Sequence, residues 1–282
     1  MVSTEMIKPK PTRSASARGR DAGFIFAATC MMFMVLIALL STIWSPHAPT
    51  DFVTDAAFAP PAPGLWLGSD YLGRDVLSRL IDGARITLGM AFTATLLSHL
   101  LGGSLGLLAA ARGGLVDTLL SRLVDLVLSL PKIIVGLVVL AALGPSIPVI
   151  VGIAAVVYAA AVFRIARALG NDVTRLDFVE IARSRGESMC WIIFAEMLPH
   201  VLRPLAADFA IRTSFAILFM ASLSFVGLGV QPPMADCGGM AHENIEGLST
   251  NPLAAIAPAL SIALVTVSLN LLVDAMERGT KW

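Results

Sequence analysis

The sequence predicts an all-α membrane protein that crosses the bilayer six times with both ends in the cytoplasm, and three observations point there. Hydrophobic residues make up 56% of the chain and charged residues only 14%, with a mean hydropathy of +0.81; soluble domains carry roughly 25% charged residues. Six apolar runs recur along the chain, each close to the roughly 20 residues that a bilayer requires of a helix. The basic residues cluster on alternate connections, as the positive-inside rule demands.

Taken in order, residues 1–23 carry Lys8, Lys10, Arg13, Arg18 and Arg20 among Pro, Ser and Ala, and read as a mobile basic cytoplasmic tail. Residues 24–44 are unbroken apolar sequence. A signal-peptide core runs to about 7–15 residues and is followed by an A-x-A site, which is missing here, so the run reads as an uncleaved first transmembrane helix. Residues 45–83 form an extracytoplasmic segment. Pro46, Pro49, Pro60, Pro61 and Pro63 make its first part an extended connector. Asp75–Ile81, with Val76, Leu77 and Leu80 on one side, predicts a short interfacial helix.

The core, 84–282, holds the rest. Ala84–Ala111 is the second span, Arg112–Ser121 a polar turn, and Leu123–Leu143 the third span, interrupted at Pro131-Lys132. Gly144-Pro145-Ser146 connects to the fourth span, Ile147–Phe163. The fifth, Val201–Gly229, carries Arg203, Asp208 and Arg212 in its first turns; the non-spanning segment Gln231–Asn251 leads to the sixth, Pro252–Val273. Arg112 and Arg122 flank one loop, while Arg164, Arg167, Arg175, Arg183, Arg185 and Arg203 border the central one. Residues 144–146 and 231–251 hold no Lys or Arg, and 45–83 holds only Arg74 and Arg79 beside five aspartates. This distribution puts both ends and the central loop in the cytoplasm.

That central loop, 174–199, interrupts the apolar pattern most strongly. Leu176, Val179 and Ala182 fall three apart among Arg175, Asp177, Glu180 and Arg183, the pattern of a short amphipathic helix. Thr174 with Asp177 suggests a loose capping box at its start. Gly186, free to take positive φ, suits its end. A second apolar segment, Cys190–Leu198, then meets Pro199. An ordinary solvated loop is the plain alternative.

Other chemistry is mostly absent. The lysines are Lys8, Lys10, Lys132 and Lys281, none of them in a GxxxxGK[ST] loop, so the chain holds no Walker A cradle for ATP. His242-Glu243 begins like a zinc-protease helix, but Glu246 stands where the second histidine belongs. Cys30, Cys190 and Cys237 are scattered without a CxxC pair and read as small apolar residues rather than metal ligands. Gly102-Gly103-Ser104-Leu105-Gly106 matches GxSxG, but inside a span rather than at a strand-to-helix turn. The same residues hold Gly102-xxx-Gly106, a small-residue packing face. An intramembrane serine protease using Ser104 with His99 or His200 is the distant alternative. Asp125, Lys132, Asp208 and Arg212 are the ionisable residues near spans; they read as cytoplasmic-end groups that snorkel or pair locally, Asp208 with Arg212 at helical spacing. The net charge of +0 gives no sign of a nucleic-acid partner; the partner of the apolar runs is membrane lipid.

Glu180-Ile181-Ala182, Gly186 four residues later and Leu198-Pro199 resemble the EAA loop of ABC-transporter importer permeases, whose pattern is E-A-A, three residues, G, nine residues, I-x-L-P. Ile181 and Glu196 differ from that pattern. Three further stretches resemble one subgroup, the C-type permease subunit of dipeptide, oligopeptide and nickel importers: LGSDYLGRDVLSRLIDGARITL at 67–88, DLVLSLPKIIVGLVVLAALGPS at 125–146, and SLSFVGLGVQPPMADCGGM at 222–240, where Cys237 replaces the usual tryptophan.

The resemblance implies a type I importer fold and a division of labour. It implies a homologous B-type permease subunit as heterodimer partner, two ATP-binding subunits that hold the ATP and magnesium, and an extracytoplasmic solute-binding protein, with no cofactor and no enzymatic step in this chain. It places the chain in the cytoplasmic (inner) membrane of a bacterium. It implies an ATPase-coupling loop formed by Leu176, Val179, Glu180, Ala182, Gly186, Leu198 and Pro199. It implies a di- or oligopeptide as the solute, with nickel or a glutathione-like solute as the alternative cargo of the same machinery.

Overall fold

The computed structural model describes residues 14–41 and 44–278, and among them the regular elements are helices, with isolated β-bridges inside the loop 52–75. Helix α1 spans Ser14–Leu40. Of the expected basic tail, residues 1–13 lie outside the described residues, and from Ser14 onward the chain is already helical. Its apolar part is Phe24–Leu40, about 25 Å of helix. It packs against the last helix, Leu253–Arg278, and against Val76–Ser98.

Helix α2, Val76–Ser98, continues through a π-helical turn, His99–Gly103, into α3, Ser104–Arg112, so 76–112 is one long span. The expected interfacial helix Asp75–Ile81 is therefore the first two turns of α2, which Asp75 caps by accepting from the N–H groups of Leu77 and Ser78. The expected polar turn Arg112–Ser121 shrinks to Gly113, because α4 begins at Gly114 and runs to Ser129. Both glycines have positive φ, which lets the chain reverse within so few residues. Pro131 ends that run, since it has no N–H and forces the preceding residue out of helix. Helix α5, Lys132–Leu143, leaves at 84° to α4.

Helix α6, Ile147–Val173, runs ten residues beyond the expected Phe163. Its last turns are polar, and Arg164 and Arg167 meet Asp125 and Asp117 of α4, Arg167 Nη2 donating to Asp117 Oδ2 at 2.6 Å. After the short helix α7, Asp177–Ser184, come α8, Met189–Trp191, a π-helical stretch, Ile192–Met197, and α9, Leu198–Phe225. Because the helix begins so early, Asp208 and Arg212 lie in its middle, not in its first turns. Helix α10, Cys237–Glu243, and a 3-10 turn, Ile245–Ser249, precede α11, Leu253–Arg278. Among the described residues four helices are long and apolar enough to cross a membrane, or five if α4 and α5 form one bent span.

Two apolar cores stack along the bundle. One joins α2, α6 and α9 through Ala94, Ala154, Ile217 and Leu223. The other joins α3, α6, α7 and the start of α9 through Leu107, Ala166, Val179 and Val201. Between the run 99–112 and α6 the backbones touch: a Cβ on Gly102 would stand 2.2 Å from the Ala159 carbonyl oxygen, and one on Gly106 2.6 Å from that of Phe163. The GxxxG face is thus a helix-packing surface.

At the end of the bundle opposite α7, the loop 44–75 is not a loose connector. Asp70 is buried and accepts from Arg74 Nε at 2.8 Å and Arg79 Nη1 at 2.5 Å; Arg79 Nη2 reaches Glu243 at 3.0 Å. Asn251 Nδ2 donates to the carbonyls of Leu67 and Ser69. These bonds fasten the proline-rich loop onto the segment 237–251, satisfying charges that burial would otherwise strand.

Candidate functional site

Helix α7 and its base stand at the far end of the spans from that network. Leu176, in extended conformation (φ −85°, ψ 143°), precedes the helix and gives it no side-chain cap. Thr174 does not form the expected capping box: its hydroxyl donates to the Asn171 carbonyl at 3.0 Å and closes α6. The expected triplet also divides. Val179 and Ala182 are fully buried (0% exposed), packed on Ala110, Ala111, Ile192, Met197 and Val201, whereas Leu176 is 45% exposed. Only residues inside the helix share its face, and Leu176 lies one step before it.

The helix stop matches the sequence pattern. Gly186 has φ +78°, its N–H donates to Arg183 O at 2.9 Å, and the Glu187 N–H donates to Ala182 O at 3.2 Å. That pair of bonds is a Schellman motif, which closes the last carbonyls of a helix through a left-handed residue. Glu180 and Ile181 face outward, Glu180 exposed and without a hydrogen bond or ion pair to another described residue. Leu198 is half-buried and Pro199 exposed, within the continuous helical run Met189–Phe225 and directly after its π-helical stretch.

Residues that sequence reasoning missed hold this base together. Arg183 Nη2 donates to the Ala111 carbonyl at 2.9 Å, tying α7 to the end of α3. Arg185 lies 3.7 Å from Glu196 and over the Trp191 ring at 5.6 Å, so the acidic residue that departs from the EAA pattern has a cation beside it. Phe178 stacks on His200 with ring centroids 4.6 Å apart. These partners are far apart in the chain, and no local period signals them.

The arrangement is mechanical. It is a short helix whose inner face is buried on the ends of the spans and bonded to α3 through Arg183, while its outer face presents Leu176, Glu180 and Ile181. The other candidates read differently. Ser104 donates to the carbonyls of Leu100 and Leu101 within its own helix. Glu243 is taken up by Arg79. Asp125 pairs with Arg164 at 2.6 Å on an exposed face, and Asp208 pairs with Arg212 at 3.1 Å as their spacing predicts.

Residues 102–282 match the family of binding-protein-dependent transport system inner membrane components. Over 92% of its length the chain is 33% identical to 89% of a dipeptide transport system permease protein of Haemophilus influenzae. It is 34% identical, over 90% of its length and 84% of the relative, to a glutathione transport system permease protein of Pectobacterium atrosepticum. A di/tripeptide transport system permease protein of Pseudomonas aeruginosa is 31% identical over 96% of this chain and 92% of its own length. A helix seated on the ends of the spans within the matched region, and relatives matched nearly end to end, agree: the chain belongs to the family of binding-protein-dependent transport system inner membrane components.

Proposed function

We propose that this chain is a membrane-spanning permease subunit of an ATP-driven importer of peptides, forming half of the translocation path. The observation that carries this reading is the match to peptide and glutathione permeases over nearly the whole chain, glutathione being itself a tripeptide. In this reading six helices cross the inner membrane of a bacterium, α1 and the bent pair α4–α5 counting among them, with both ends cytoplasmic. The charge distribution supports that topology: Arg112, Arg164, Arg167, Arg175, Arg183 and Arg185 gather at the α7 end, while Arg74 and Arg79 at the other end are neutralised by Asp70 and Glu243.

The partners are a homologous permease subunit, two ATP-binding subunits and an extracytoplasmic solute-binding protein. The ATP-binding subunits grip α7 from the cytoplasm, and their closure on ATP shifts the bundle between outward-open and inward-open packings. Leu176, Glu180 and Ile181 form the outward contact; Val179 and Ala182 seat the helix; Gly186 sets its end; Leu198 and Pro199 start the span it moves.

Gly186→Val tests the reading. A Cβ at Gly186 meets no neighbour within 4 Å, so the harm comes from its left-handed backbone alone. Peptide uptake by cells carrying the variant should fall to background while the chain still inserts, and Gly186→Asn should retain most of it. Normal uptake and substrate-stimulated ATP hydrolysis in the Val variant would overturn the coupling role.

A further inference from the structure

Ionisable side chains also meet halfway along the spans, where the sequence alone places none. Lys132 opens α5, about 18 Å of helix from Leu143 at the end nearer the 44–75 loop. Its Nζ lies 5.3 Å from the Tyr158 ring centre and 5.8 Å from that of Phe215. Tyr158 is about 16 Å along α6 from Ile147, and Phe215 about 15 Å along α9 from Phe225. All three therefore stand near the middle of a hydrocarbon core about 30 Å thick, not at the span ends.

Lys132 has no carboxylate at ion-pair distance among the described residues, and its side chain is exposed. Behind it, Arg212 Nε donates to Asp208 Oδ1 at 3.1 Å and is close enough to act electrostatically on the Tyr158 hydroxyl. The other Asp208 oxygen lies 3.3 Å from His99 Nε2. His99 Nδ1 is 3.0 Å from the Thr95 carbonyl, which only accepts, so Nδ1 carries a proton. Lys132 and Arg212 against Asp208 leave this level of the bundle positive. The first N–H groups of α5 add to it, because Pro131 offers them no side-chain cap.

A bare ammonium at this depth is costly, so such residues face a water-filled path or a counter-charge. We propose that Lys132, with the open start of α5 and the field of Arg212, receives the carboxylate of the solute as it crosses, the rings of Tyr158 and Phe215 flanking the ammonium. Asp208 and His99 are positioning residues that hold Arg212 back from the path. This rests on the importer reading and names its substrate class: peptides with a free carboxylate.

The test uses the complete transporter in proteoliposomes with saturating binding protein, comparing uptake rates of dialanine and dialanine amide. Lys132→Met should cut the dialanine rate by about tenfold or more, the loss of one charge-assisted hydrogen bond in the path. It should leave the amide rate, subunit assembly and basal ATP hydrolysis unchanged, and Lys132→Arg should restore dialanine transport. An equal fall for both peptides, or no fall for dialanine, overturns the proposal. So does loss of assembly, which would assign the lysine to a carboxylate of the partner subunit. Uptake of dialanine by the wild type is the separate check: its absence would sink the peptide-importer reading itself.

Discussion

Arg183 Nη2 donates to the carbonyl oxygen of Ala111 at 2.9 Å, so α7 is bonded to a carbonyl at the end of the long helical run 76–112. Such terminal carbonyls have no partner within their own helix, and a cation there also meets the negative end of the dipole. Arg183→Met keeps the stem and removes the bond. The variant should lose about 1–2 kcal/mol of stability, seen as a lowered Tm of the purified complex, and its peptide uptake should fall more than its ATP hydrolysis. Unchanged coupling between the two rates would show that α7 moves the bundle through α9 alone.

The two faces of α7 should separate by substitution. Ala182 is fully buried, and Ala182→Leu forces a larger side chain against Ala110, Ala111 and Met197, at a cost of about 1–3 kcal/mol. Ile181 is 57% exposed, and Ile181→Asp should stay within about 0.5 kcal/mol of the parent. Thermal melting of the permease alone should single out the Leu variant, whereas co-purification with the ATP-binding subunits should single out the Asp variant. Equal melting temperatures would mean that α7 yields on its base and is no rigid lever.

What was legible in the chain was whatever local period or backbone freedom encodes. The end of α7 at Gly186 follows from a residue that alone tolerates φ +78° without strain, and the break at Pro131 follows from its missing N–H. The 84° angle at that break does not, because it is set by what α4 and α5 pack against. The apolar run of α6 stops near Phe163, yet the helix continues because Arg164 and Arg167 find Asp125 and Asp117 on another helix. The same continuation takes Thr174 as its closing residue and so removes the expected capping box. The proline-rich first part of 45–83 reads as an extended connector because the contacts of Arg74 with Glu243, Tyr71 with Asn244 and Leu67 with Asn251 span most of the chain and leave no local signal.

The start of α2, which meets that loop, carries both buried and exposed charge. Arg79 is among the most buried side chains and is shared by Asp70 and Glu243. Arg79→Leu leaves Asp70 buried with one guanidinium partner fewer and should cost about 3–5 kcal/mol. The exposed pair Arg85–Asp82, 2.8 Å apart, should cost under about 1 kcal/mol when Asp82→Ala removes it. Differential melting of the two variants checks the ranking; a mild effect at Arg79 would mean that water enters the network.

Asp236 sits in the same region, its carboxyl buried and capping α10 by accepting from the Gly238 N–H at 3.1 Å. Burial pushes its carboxyl above the ordinary value for an aspartate. The folded state therefore holds the proton more tightly than the unfolded chain does, and the stabilisation from this group is full below the unfolded value, near 4. It is lost as pH rises through the higher folded value, since the charged form must then be buried. Asp236→Asn keeps an oxygen for the Gly238 N–H and cannot ionise. Its melting temperature should exceed that of the parent at neutral pH, and the gap should close as pH falls toward 4. A gap that stays constant with pH would show that Asp236 is uncharged, or fully compensated, throughout the range.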